Sequence, residues 1–347
     1  MRHCTMRAVA ILIVVAVALV ALIAGRAARA IGQPAMIGYV AAGVVAGLVV
    51  PGGASFDSAL RACALIGEIG VLALMFTSGG EMDGRELWSR AWRSVPLTLA
   101  VIATPFACGL LLAPRFPQLR GSGANPIAFT ILIATCLTVT AFPVLMEILR
   151  DRALLTTPIG ITAAGIAAVN DVIAWLLLAA VAFWSAGTTP PLLVAAVFAA
   201  FFLGTVMPRA PRATIRRYLC TPFLPLFFAA IGMHVASIRG AFAISAIFIA
   251  VAVAAKIVPA TLVSRLRGEP WRASFVLGAL LNARGAMELI AAKLGLELGL
   301  LSPAGFSVLV SVAVVTTLLT GPLLRAAYSP SLGSTTAAAV SSSDAAA

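Results

Sequence analysis

Asp171 follows Asn170 near the centre of TPIGITAAGIAAVNDVIAWLLLAAVAFW (157–184), an apolar stretch long enough to cross a bilayer. An ionised carboxylate at that depth costs from about 3 to above 10 kcal/mol, so it faces a bundle interior or a wet cavity and handles ions or protons. The bland alternative is a structural hydrogen bond to a neighbouring helix. Lys256 stands nine residues before Arg265 and therefore about 13 Å inside a helix end, deeper than snorkelling fully relieves. Together Asp171 and Lys256 suggest a site where a metal ion and protons compete. In WRASFVLGALLNARGAMELIAAKLGLEL (271–298), Arg284 and Glu288 are four apart, so they pair on one helix face. That pair is either part of a transport site or a plain structural staple.

Two apolar segments look interrupted. Pro143 removes a donor from IAFTILIATCLTVTAFPVLMEIL, and Thr138 and Thr140 sit just before it. Gly285, beside Asn282 and Arg284, permits a second break. Frayed backbone at membrane depth is tolerated where protein or water satisfies it, and paired interruptions in the two halves point to an inverted-repeat secondary transporter. A carboxylate binds a proton or a small dehydrated cation and never both well, so exchange follows if the bundle alternates access. The chain holds no G-x-x-x-x-G-K-[ST], which leaves an ion gradient as the energy source.

These residues need membrane-spanning elements to position them, and the composition supplies them. With 61% hydrophobic and 10% charged residues among 347, the chain is an integral membrane protein. Cuts at charged, Gly and Pro clusters give eleven spans near 8–25, 34–50, 60–79, 94–113, 126–146, 157–184, 190–207, 219–237, 241–263, 273–296 and 303–324. Alternate loops hold fifteen and six basic residues, which puts the N-terminus outside and the C-terminus in the cytoplasm. The net charge of +12 thus reflects topology and not a nucleic-acid partner.

Other readings are weaker. The run from Ala8 to Gly25 is longer than a signal-peptide core and reads as a first span. Five scattered cysteines make no disulfide framework or metal site, and no cofactor is expected. An intramembrane hydrolase would need a nucleophile and base or a carboxylate pair, whereas the only histidines are His3 and His234 near segment ends. Residues 329–347 read as a disordered tail.

GQPAMIGYVAAGVVAGLVVPGG (32–53), IGEIGVLALMFTSGGEMD (66–83), TVTAFPVLMEILRD (138–151) and AAVNDVIAW (167–175) together resemble the monovalent cation/proton antiporters of the second type, with a Kef-like Na+/H+ exchanger domain. MPR (207–209), PLFFAAIGM (225–233), AAKIVPATLVSRLRG (254–268) and LLNARGAMELIAAKLGLELGLLS (280–302) follow in the family's order. The resemblance implies an all-α polytopic domain over 1–328, built from inverted repeats with two crossed broken helices, in a homodimer in a prokaryotic plasma membrane. It implies a transporter and not an enzyme, exchanging Na+ or K+ for protons at Asp171. Asn170, Thr138, Thr140 and Lys256 are implied around that residue, and Arg284 and Glu288 as the polar pair of the second broken segment. Proton-coupled efflux of an organic ion, or a non-transporting membrane subunit, are the alternatives on the same scaffold.

Three departures stand out. Tyr39 occupies the place of a usual Gly–Glu, Asn170 replaces the second acid of the two-aspartate members, and the chain between Asp171 and Pro225 is about two spans short. No C-terminal nucleotide-binding or regulatory domain is expected either.

Overall fold

The computed structural model describes residues 2–50, 53–81, 94–186, 192–207, 214–235 and 241–327. The expected tail, 329–347, lies outside the described residues. Thirteen α-helices run through them in chain order: α1 Arg2–Ala30, α2 Ala35–Val49, α3 Ala54–Glu81, α4 Val95–Leu112, α5 Pro126–Thr138, α6 Phe142–Asp151, α7 Pro158–Ala186, α8 Leu192–Val206, α9 Thr221–Val235, α10 Phe242–Leu266, α11 Trp271–Leu281, α12 Ala286–Glu297 and α13 Pro303–Ala327. A π-helical turn, Arg216–Cys220, leads into α9. Helices are what such apolar sequence must form in lipid, because only there does each segment satisfy its own backbone.

Among the described residues nine helical segments are long and apolar enough to cross a membrane, counting α5–α6 and α11–α12 as one each. The stretches near 34–50 and 190–207 instead form helices of 15 residues. At 1.5 Å per residue α2 is roughly 22 Å long, short of a hydrocarbon core of about 30 Å, whereas α8 begins directly after residues 187–191, which lie outside the described residues.

The helices sort into two groups by their packing. The first holds α1, α2, α3, α8 and α9; the second holds α4, α5, α6, α7, α10, α11, α12 and α13. Small residues let the first group close up. A Cβ on Gly43 of α2 would run into the Ala229 backbone of α9, and one on Gly232 would meet the Val40 carbonyl, so only glycine permits this approach.

The second group contains two copies of one pattern, a helix, a broken helix and a helix: α4, α5–α6, α7 and then α10, α11–α12, α13. Arg120, before α5, bridges to Leu301, after α12, and the Ser302 amide donates to the Leu119 carbonyl at 2.9 Å. The entrance of one broken helix is therefore level with the exit of the other. The two run antiparallel, as inverted repeats require.

Local chemistry sets the ends of these pieces. Asn125 caps α5, its Oδ1 accepting from the Ile127 and Ala128 amides at 2.8 and 3.3 Å, with Pro126 at the first helical position. Pro143 lies in the first turn of α6, where its missing N–H is harmless. The sequence reading put the interruption at Pro143. The structure puts it at 139–141, where Val139 and Ala141 take extended backbone angles, and Pro143 helps start the second half-helix.

Candidate functional site

The two breaks touch. The Ala141 amide donates to the Ala283 carbonyl at 3.1 Å, and the Thr140 hydroxyl donates to the Leu281 carbonyl at 3.0 Å. Four half-helix ends consequently meet in one buried region: the C-termini of α5 and α11 and the N-termini of α6 and α12. Helix C-termini leave bare carbonyls and attract cations, while N-termini leave bare amides and attract anions. The charged residues singled out from the sequence are distributed accordingly.

Arg284 caps the end of α5. Its two terminal nitrogens donate to the Cys136 carbonyl at 2.6 Å and the Leu137 carbonyl at 2.5 Å. Nη1 also lies 3.2 Å from Glu288 Oε2, with both side chains fully buried. Glu288 occupies the first turn of α12, the favourable end for an anion. The expected pair thus forms, but not on one continuous helix. Arg284 lies in the break and Glu288 beyond it, so the backbone between them is partly extended.

Lys256 is fully buried on α10 and does not snorkel. Its Nζ donates to the Thr140 hydroxyl at 2.8 Å, and Asp171 and Glu288 act on it through space. Thr140 is therefore a hub. It donates to Leu281 and accepts from Lys256 and from Asn170 Nδ2, the latter at 3.1 Å. One hydroxyl donates once and accepts twice, so its capacity is filled. Thr138 contributes its carbonyl, which accepts from Asn170 Nδ2 at 2.8 Å, and its hydroxyl turns back to Ala134 at 2.8 Å.

Asp171 lies by the N-terminus of α6, close enough to the Phe142 amide to interact with it. Its Oδ1 and the Asn170 Oδ1 are buried without a hydrogen-bond partner. Unpaired buried oxygens are rare and ask for an explanation. Both belong to adjacent residues of α7 beside the break of α5–α6; Asn282 Oδ1 and both Glu288 carboxylate oxygens, by the other break, lack such a partner as well.

Thr140→Val tests the hub. It strands an ammonium N–H and the Leu281 carbonyl in the core, and leaving such groups unpaired costs about 1–3 kcal/mol each. A thermal melt of the purified variant is expected to fall clearly, and Thr140→Ser, which keeps the hydroxyl, to restore most of the loss.

Some partners had little signal in the sequence. Thr317 accepts from the Arg284 amide at 3.2 Å and donates to the Arg284 carbonyl at 2.8 Å, and the Thr316 carbonyl accepts from Asn282 Nδ2 at 3.2 Å. Hydroxyls at 316, 317 and 320 in an otherwise apolar segment were the available clue.

Two cavities lie between the helix groups, at opposite ends of α3, α9 and α12. One, of about 240 Å³, reaches Pro143, Val144 and Ala286, the first turns of α6 and α12. The other, of about 330 Å³, is lined by Phe227, His234, Glu68 and Lys293. There Lys293 of α12 reaches across to α3, with Nζ 2.6 Å from Glu68 Oε1, and lies 5.5 Å above the Phe227 ring of α9. A cross-group ion pair clasps this end.

Comparison with known proteins places the fold and the motifs together. The cation/H(+) antiporter 18 of Arabidopsis thaliana is 29% identical over 87% of this chain and 47% of its own length. The Na(+)/H(+) antiporter NhaS4 of Synechocystis sp. is 26% identical over 85% of this chain and 91% of its own length. The chain spans about half or less of the length of the plant relatives it matches. The sodium proton antiporter MjNhaP1 from Methanocaldococcus jannaschii shares the fold, with a TM-score of 0.60 and 14% identity over 94% of this chain and 97% of that one. Residues 15–193 and 180–328 each match the family described as sodium/hydrogen exchanger, transmembrane, and the two matches overlap at 180–193. The chain belongs to the sodium/hydrogen exchanger transmembrane family.

Proposed function

We propose that the protein is a secondary antiporter that exchanges Na+ or K+ for protons, by competition at Asp171, as the two helix groups alternate access. The observation that carries this reading is the pair of unpartnered oxygens on Asn170 and Asp171 at the crossing of two broken helices. Asp171 supplies the negative charge and the proton site, Asn170 and the Thr138 region supply neutral oxygens, and Lys256 supplies a fixed positive charge anchored on Thr140. A cation displaces the proton because one carboxylate in a dry site does not hold both well.

Alternating access is supported by the two cavities. The arginine-lined cavity approaches the crossing, while the Lys293–Glu68 pair closes the other end. Movement of one group past the other would break that pair and reverse the accessible side. Basic residues concentrate on the arginine-lined side, so that side is proposed as cytoplasmic, with the N-terminus outside. A homodimer in a prokaryotic plasma membrane is the proposed setting, and the match over 91% of the length of the Synechocystis relative bears on the membrane alone.

Proteoliposome exchange with Li+, Na+ and K+, with and without an imposed membrane potential, tests the function. Cation-dependent dissipation of a pH gradient by Na+ or K+ is the expected result, and its response to voltage reports the charge moved per cycle. Absence of flux with all three ions from a folded protein would indicate a non-transporting subunit instead.

A further inference from the structure

Trp175 follows Asp171 by one turn of α7, about 6 Å along the helix axis, so the two share a face. Asp171 lies by the start of α6, and the Ala141–Ala283 bond sets that start level with the start of α12. Ala286, at the first turn of α12, lines the arginine-lined cavity. One and two turns further on, Ile290 and Lys293 instead line a small chamber of about 20 Å³, together with Trp175, Val197 and Phe227. Phe227 and Lys293 also line the cavity of about 330 Å³ at the far end. That cavity, the chamber, Trp175 and Asp171 therefore stand in file.

Along this file Lys293 keeps 15% of its side chain exposed, whereas Trp175 is only 2% exposed. Trp175 is thus the first fully buried layer between the Lys293-lined cavity and the carboxylate. Its ring meets Phe198 of α8 edge-on, with centroids 5.1 Å apart, and its Nε1 has no hydrogen-bond partner. A buried indole usually finds a partner for its N–H, so this one is held by its bulk and not by its polar handle. The chamber has room for about one water, yet apart from Lys293 and the indole N–H its walls are apolar. Apolar constrictions block ions and protons by staying dry. The ring belongs to the second helix group and Phe198 to the first, so the contact straddles the boundary along which the groups would slide.

We propose that Trp175 is a plug that keeps the Lys293-lined cavity from joining Asp171 while the arginine-lined cavity approaches the carboxylate from the other side. Seated on Phe198 across the group boundary, its bulk holds a dry layer over Asp171. Sliding of one group past the other would unseat it. That last role rests on the exchange reading; the barrier itself does not.

Passive proton permeability of liposomes that hold the full chain tests the barrier. A pH gradient is imposed in choline medium free of Li+, Na+ and K+, with tetraphenylphosphonium carrying the counter-charge, so that alkali-ion exchange contributes nothing. Trp175→Ala is expected to collapse the gradient about tenfold or more faster than the wild type, and Trp175→Phe, which keeps the bulk, to stay within about twofold of it. Leu178→Ala empties a fully buried position of the same helix that lines neither the chamber nor the Lys293-lined cavity, and it is expected to stay tight. Thermal melts check folding, and Trp175→Leu, a smaller excision, carries the test where the alanine variant does not fold. A folded Trp175→Ala, or in its place Trp175→Leu, as tight as the wild type overturns the proposal. So does a leak of equal size in Trp175→Phe or Leu178→Ala. If Trp175→Ala leaks while wild-type liposomes exchange no cation, the exchange reading fails and the barrier stands. If the wild type exchanges while Trp175→Ala stays tight, the barrier alone fails.

Discussion

Asp171→Asn is expected to reduce cation-driven proton exchange at least about 100-fold, to the leak of empty liposomes, with the helical fold intact. The substitution preserves the size of the side chain and leaves one oxygen beside the Phe142 amide. It removes the charge and the titrating proton together. At an effective dielectric of about 20, a cation and a carboxylate 4 Å apart attract by about 4 kcal/mol, and each 1.4 kcal/mol is tenfold in affinity. Losing that attraction alone takes the cation off the site. Stability should hold or rise, since a neutral amide is easier to bury than a carboxylate without an ion-pair partner. Exchange measured by a pH-sensitive dye, beside a thermal melt, separates these outcomes. Wild-type rates in the variant would remove Asp171 from the mechanism.

Arg284→Leu carries the largest expected loss of stability. The guanidinium is fully buried, holds the Cys136 and Leu137 carbonyls at the end of α5, and faces Glu288. Its removal strands a buried carboxylate and two carbonyls, and breaking a buried pair in this way typically costs about 3–5 kcal/mol. The expected readout is a melting temperature lower by roughly ten degrees. Adding Glu288→Leu should recover part of the loss, because two apolar side chains replace a pair and no charge is left over. Recovery stays incomplete, since both carbonyls remain bare. A single variant as stable as the wild type would mean that Arg284 does not hold the crossing together.

Composition made the helical membrane fold legible, and two polar residues inside an apolar run made Asn170 and Asp171 conspicuous. Depth along a helix was readable as well, hence Lys256. Its partner was not, because the Thr140 hydroxyl comes from a segment 116 residues away and spacing carries no information across that distance. The same limit hid Arg284 on the Cys136 and Leu137 carbonyls, and Lys293 on Glu68. Pro143 misled differently. A proline inside an apolar run reads as a kink, yet as the second residue of a half-helix it is at ease, and the chain opens just before it. Spacing gave the Arg284–Glu288 contact and Gly285 gave the break between them, while the tertiary crossing at Ala283 was not readable from either.

Competition also sets a pH dependence. Where protons occupy most of the carboxylate, the apparent cation KM should rise about tenfold for each pH unit of acidification, as reciprocal linkage at one site demands.

The most direct measurement is proton release on cation binding. Purified protein in weakly buffered detergent solution, near the pH of half-maximal exchange, receives Na+ or K+ while a pH electrode records the solution. The account predicts release of up to one proton per chain, saturating with the cation and absent in Asp171→Asn. Cation binding without release, or release that persists in the variant, would contradict a single seat shared by proton and metal ion.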